Sequence, residues 1–294
     1  MKNLISIKDL SIEEIEKIFS LTNEIKKKPH KFSRYLRGKS FALIFHKPSL
    51  RTRVSFETGI FQLGAKAVYL EEEIGFSKRE PVKDIARVLS RYVDGVIIRT
   101  FSHQLLLDFA KYSTAAVINA LTDSFHPCQV LSDLWTIREK RGELRKVKIA
   151  YVGDGNNVCN SLIYGCLKTK ANLRIATPPG CEPRISIPAQ NLEIRIMNDP
   201  EEVVKDADII YTDVWTSMGE EEREDRKEIF QNFQVSKRLV NYAKPDCLIM
   251  HCLPAHRGEE ITDEVIEGRN SIVFEQAENR LYVQKAILIS LDIL

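Results

Sequence analysis

Short apolar runs alternate with amphipathic segments along the whole chain. In the first half, runs at 40–45, 66–70, 95–98 and 115–118 have the length of strands. The segments between them carry helical spacing: Phe56, Ile60 and Leu63 fall at i, i+4 and i+7, and 85–93 and 105–112 read as further helices. Ser11 with Glu14 three residues on predicts a capping box that opens a helix to about Lys28, and Pro29 ends it. Between the second strand and the next helix lies an acidic, irregular segment around 71–84. Strand and helix in alternation imply a mostly parallel sheet with helices on both faces.

A helical run at 129–142 then connects to a second half of the same kind. Its strands are expected at 147–152, 173–176, 193–197, 208–212, 247–250 and 271–274, the last finishing the sheet. Helices are expected at 158–169, 200–206, within 229–243, near 263–267 and from about 278 to 291. The pattern is α/β, in two doubly wound halves.

Length agrees with two domains, since 294 residues allow each half its own core. Charge narrows the function. With 43 basic and 41 acidic residues the formal net charge is +2, so no broad field draws nucleic acid or a membrane surface, and any anion site has to be local. The N-terminal segment carries charges throughout, and no uncharged apolar stretch reaches the ~18 residues of a membrane span. A soluble, cytoplasmic protein is expected. Six scattered cysteines without a C-x-x-C pair argue against a disulfide framework or a zinc ribbon. His251, Cys252 and His256 match no common zinc spacing, and no metal is expected.

Polar residues gather where the predicted strands end. The strand at 40–45 is followed by Ser49, Arg51 and Thr52, that at 95–98 by Arg99, and that at 115–118 by the loop of His126 and Gln129. In the second half, Asn156 and Asn157 follow 147–152, Asp213 follows 208–212, and Cys252 follows 247–250. Parallel open sheets bind ligands beyond the carboxyl ends of their strands, so these groups are expected to converge on a cleft between two domains.

Ser49 is a natural N-cap, and a helix start is an anion site before any side chain is counted. Arg51, Thr52, Arg53, Arg99, His126 and Gln129 add the donors that a small phosphorylated compound requires when it leaves water. A His beside an Arg can also polarise a carbonyl oxygen. Taken alone, a histidine such as His126 is more often a satisfied buried one, and only the company it keeps reverses that reading. The second set differs in kind: Asn157, Asp213 and Ser217 suit an amino-acid head group, with the soft Cys252 near a nucleophile. Singly, Asn157 is a loop residue and Asp213 a helix cap.

GDGNNV at 153–158 opens a helix after a strand, as a dinucleotide site would. The third glycine of that fingerprint is replaced by Val158, however, and asparagines stand where the pyrophosphate would approach.

SLRTR at 49–53, EPVKDIARVLSRYVDG at 80–95, Arg99, HPCQ at 126–129, GDGNNV at 153–158, DVWTSMG at 213–219, HCLP at 251–254 and AENR at 277–280 together resemble the ornithine carbamoyltransferases of the aspartate/ornithine carbamoyltransferase family, in order and across nearly the whole chain. The resemblance implies a carbamoyl phosphate-binding domain at 1–132, an ornithine-binding domain at 133–277 and a last helix, about 278–294, that returns to the first domain. It places carbamoyl phosphate on Ser49, Leu50, Arg51, Thr52, Arg99, His126 and Gln129, completed by Cys252, Leu253 and Arg280. It places ornithine on Asn157, Asp213, Ser217 and Met218.

Arg51, Arg99, His126, Asp213 and Cys252 are the catalytic residues it implies, with no cofactor and a homotrimer or multiple of trimers as the assembly. Leu50 stands where many members have Thr, and SLRTR is also common in the branch acting on N-acylornithine. An amine other than ornithine (N-acylornithine, putrescine or aspartate) is therefore the alternative acceptor. Ser217, Met218 and Cys252 favour free ornithine.

Overall fold

The computed structural model describes residues 1–46, 48–70, 80–188, 191, 193–216 and 224–293. The chain forms two compact units, one of Met1–Ser132 with Glu278–Leu294 and one of Asp133–Ala277. It passes from one unit to the other within two helices, Pro127–Arg141 and Val273–Ser290.

In the first unit, β1 (Ser40–Phe45), β2 (Lys66–Leu70), β3 (Gly95–Arg99) and β4 (Ala116–Leu121) form a parallel sheet in the order β2-β1-β3-β4. The buried runs of β1, β3 and β4 are continuous because helices cover both faces of the sheet. Ser11 and Glu14 make both bonds of the capping box on helix Ile12–Lys27. The helix expected from 105 begins at His103, since Ser102 is its N-cap and accepts from the Leu105 amide. Only the end of the acidic segment, from Glu80, lies among the described residues, and helix Val82–Leu89 follows it.

In the second unit, β5 (Lys148–Val152), β6 (Asn172–Ala176), β7 (Ile194–Met197), β8 (Ile209–Thr212) and β9 (Leu248–His251) form a parallel sheet in the order β7-β6-β5-β8-β9. Residues 271–274, expected to finish the sheet, form no strand. Ser271 makes a single bridge to Ile249, and by Val273 the chain is already helical. The reason lies one turn on. As a helical residue Gln276 accepts the His251 amide on Oε1 (3.0 Å) and donates to buried Asp133 (2.8 Å), whose other oxygen accepts the Tyr211 hydroxyl (2.7 Å). An extended chain would leave these buried groups without those bonds, a larger cost than losing one edge strand.

Candidate active site

Each sheet reverses its strand order once, between β1 and β3 in the first unit and between β5 and β8 in the second. Such a switch point opens a crevice beyond the strand ends, because the connections on its two sides leave in opposite directions. The polar residues read from the sequence follow those strands.

In the first unit Ser49 caps helix Leu50–Gln62, its hydroxyl accepting the Thr52 amide at 3.3 Å, and the first-turn amides point out of the helix end. The His46 amide donates to the Arg99 carbonyl (2.8 Å) and its Nδ1 lies 2.9 Å from the Thr100 hydroxyl, which ties the end of β1 to that of β3. Arg280, from the last helix, donates to the Thr52 hydroxyl at 3.0 Å. Thr52, Arg99, His126, Gln129 and Arg280 are each at most 5% exposed. Arg51 is half-buried in the first helical turn, whereas Leu50 turns its side chain outward. Arg53, counted among the donors from sequence, points elsewhere: it pairs with Glu57 (3.1 Å) and lies 3.6 Å from the centre of the Tyr69 ring.

His126 is held well below the ordinary histidine value of 6.5, by burial first and then by the charges of Arg280 and Arg99. It is therefore a neutral imidazole at neutral pH. The unfolded chain accepts this proton near 6.5 and the folded chain resists it, so the unfolded state binds more protons below that pH. Stability is thus complete above about pH 6.5 and falls on acidification, by up to about 1.4 kcal/mol per pH unit. Denaturant midpoints taken between about pH 5 and 7.5 should show this slope, with His126→Asn removing part of it. The remainder includes His103, which burial also holds below 6.5 against the opposing charges of Asp123 and Asp9.

In the second unit three side chains meet beyond the β5/β8 switch point. The Asn156 amide donates to Asp213 Oδ2 at 2.8 Å and the Cys252 thiol donates to Oδ1 at 2.9 Å. Each carboxylate oxygen keeps a lone pair that can face an amine. Asn156 also caps helix Asn157–Thr169, its Oδ1 accepting from the amides of Val158 and Cys159. The sequence reading gave the polar role here to Asn157 and missed this double use of Asn156. Its sequence signal was an asparagine in N-cap position, in the short turn between a strand and a helix. Ser217 and Met218 lie outside the described residues.

Behind Cys252, His251 is fully buried. Its Nδ1 accepts the Leu253 amide (2.8 Å) and its Nε2 lies 2.9 Å from Glu260, so the bonds fix the Nε2–H tautomer when Glu260 is a carboxylate. Leu253 sits in the left-handed region at φ 59°, unusual for a branched side chain, and the bond to His251 holds it there. With both nitrogens engaged, His251 offers no lone pair to a metal while these bonds last. His256 groups instead with Glu259 and Glu260.

The glycine-rich turn serves packing. A Cβ on Gly155 would lie 2.3 Å from the Pro183 nitrogen, because the backbone of 181–183 packs directly against this turn. Gly155 donates its amide to the Cys181 carbonyl (2.9 Å).

A buried, cation-rich helix start in one parallel α/β unit, and a carboxylate held between an amide and a thiol in another, describe a protein that handles an anion and an amine. Comparison with known proteins agrees. The model of the aspartate/ornithine carbamoyltransferase carbamoyl-P binding domain matches residues 2–139, and that of the Asp/Orn binding domain matches 145–291. An ornithine carbamoyltransferase of Archaeoglobus fulgidus is 51% identical over 99% of this chain and 97% of its own length; one of Thermococcus kodakarensis is 50% identical over 98% and 95%. The solved ornithine carbamoyltransferase of Pyrococcus furiosus superposes with a TM-score of 0.92 at 47% identity, over 99% of this chain and 96% of that one. This chain belongs to the aspartate/ornithine carbamoyltransferase family.

Proposed function

We propose that the protein transfers the carbamoyl group of carbamoyl phosphate to the δ-amine of L-ornithine, giving L-citrulline and phosphate. What supports this reading is a desolvated arginine–histidine site at the capped helix start in one unit and, in the other, the Asn156–Asp213–Cys252 cluster. Carbamoyl phosphate takes Ser49, the Leu50 backbone, Arg51, Thr52, Arg99, His126, Gln129 and Arg280, with Cys252 and Leu253 toward the carbamoyl group. Ornithine takes Asn157, Asp213, Ser217 and Met218.

In the reaction a C–N bond forms from the δ-amine to the carbamoyl carbon, the C–O bond to phosphate breaks, and the amine loses a proton. The amine attacks only when neutral, yet at an ordinary value of about 10.4 it is mostly protonated at pH 7. Asp213 and Cys252 together orient it and ease proton loss. Arg51, Arg99 and neutral His126 donate to the carbonyl oxygen and the leaving phosphate, where charge develops. Carbamoyl phosphate binds first and completes part of the amine site.

The Leu50 side chain is 75% exposed. It lines up with exposed Val54 and Phe61 on one face of helix Leu50–Gln62. That apolar stripe supports a homotrimer or a multiple of trimers. No helix among the described residues is long and apolar enough to cross a membrane, and a cytoplasmic place is part of the proposal. A relative from Pyrococcus furiosus is named as the anabolic enzyme, which supports a role in arginine biosynthesis.

The test is product formation across a panel of amines. Ornithine should give citrulline and phosphate in equal amounts, with N-acetylornithine, putrescine and aspartate far slower; a faster reaction with any of these three would replace ornithine as the acceptor.

A further inference from the structure

The segment that leaves β8 carries Asp213, and it is gripped by one turn at two points. The first grip is Asn156 on the Asp213 carboxylate. The second runs through Arg226, whose Nε donates to the Trp215 carbonyl at 2.6 Å while its Nη2 pairs with Asp154 at 2.8 Å. Asp154 and Asn156 belong to the same turn after β5, and the Asp154 carbonyl is itself fixed by the buried Tyr151 hydroxyl (2.9 Å). Phe230, one helical turn beyond Arg226, completes the clasp. The Trp215 ring stacks on it at 5.6 Å and 25°, and the Arg226 guanidinium lies 5.3 Å from its centre.

Forked geometry is what this position uses. A guanidinium reaches a carbonyl and a carboxylate at once, which a lysine cannot do with the same directionality. The pair is mostly shielded from water, at 23% and 12% side-chain exposure, so its bonds are stronger than those of a surface ion pair. Without the arginine, the Trp215 carbonyl loses its donor, and Asp154, on the turn that orients Asp213, loses this ion pair.

Resting on the functional reading above, we infer that Arg226, with Asp154 as its counter-ion, is a positioning residue for the amine substrate: it sets Asp213 through the Trp215 backbone without touching either substrate. Its loss acts on one substrate only. Arg226→Met should raise the ornithine KM about tenfold, the worth of one charge-assisted hydrogen bond, and leave the carbamoyl phosphate dissociation constant within about twofold. Arg226→Lys keeps the charge opposite Asp154 and should recover part of the loss. A purely structural arginine would instead lower the unfolding midpoint and the active fraction while both substrate constants stayed put.

The experiment measures both substrate constants and the unfolding midpoint for Arg226→Met, Arg226→Lys and Asp154→Asn, with Asp213→Ala as the control. Should Arg226→Met fail to fold, Asp154→Asn is read in its place, with about a threefold rise in ornithine KM expected. An ornithine KM within twofold of the parent, or both substrate constants rising together, overturns the inference. If Asp213→Ala itself keeps full turnover, the functional reading is what fails; if it loses turnover while the folded clasp variant keeps its ornithine KM, the inference alone fails.

Discussion

Arg99→Ala is expected to lower kcat/KM for carbamoyl phosphate by about a thousandfold, ~4 kcal/mol of transition-state stabilisation. Arg99 is 3% exposed and ends β3 at the switch point of its sheet, beside His126 and within the field of Arg280. Two buried guanidiniums around a neutral imidazole are a costly arrangement, and a doubly charged ligand entering the site offsets that cost. Without Arg99 the phosphate loses a charge-assisted donor where water does not screen it. A second readout separates this from damage to the fold. Arg99 pushes the His126 proton affinity down, so its removal should move the His126 titration up toward 6.5, observable by NMR. Unchanged turnover together with an unchanged His126 titration would remove Arg99 from the site.

Asp213→Ala should have the largest effect on the other substrate. Asp213 accepts from Asn156 and Cys252. Its removal leaves the δ-amine without an anionic partner and frees both donors to turn inward. The ornithine kcat/KM should fall by about a thousandfold while carbamoyl phosphate binding changes by less than about threefold. Cys252 grades this effect. Cys252→Ser keeps a donor on Asp213 and should lose less than Cys252→Ala, in turnover and in ornithine affinity alike. A loss confined to carbamoyl phosphate affinity would place Cys252 with the other set alone.

Legibility from sequence followed distance along the chain. The capping box at Ser11, the N-cap at Ser49 and all nine strands of the described residues were readable, because each depends on neighbours within a few residues. The supposed strand at 271–274 was not. Its apolar run suits a strand locally, and what decides it is Gln276 meeting Asp133, 143 residues away, which in turn meets Tyr211 across 78. Arg226 was invisible for a similar reason, since it lies in a charged stretch that reads as a solvated loop or helix face. Single-residue readings failed where one side chain has two partners. Asn156 caps a helix and holds Asp213 together, and sequence position alone could not choose between it and Asn157.

One compound tests most directly the claim that the arginine–histidine site and the Asp213 cluster serve a single transfer. A bisubstrate analogue joins a phosphonate to an ornithine-like tail. It should bind one per chain, compete with carbamoyl phosphate, and bind far more tightly than the phosphonate half or the tail half alone. Arg99→Ala and Asp213→Ala should each weaken it severely. If the analogue binds no better than its phosphonate half, and Asp213→Ala leaves its affinity untouched, the two sets of residues do not serve one reaction.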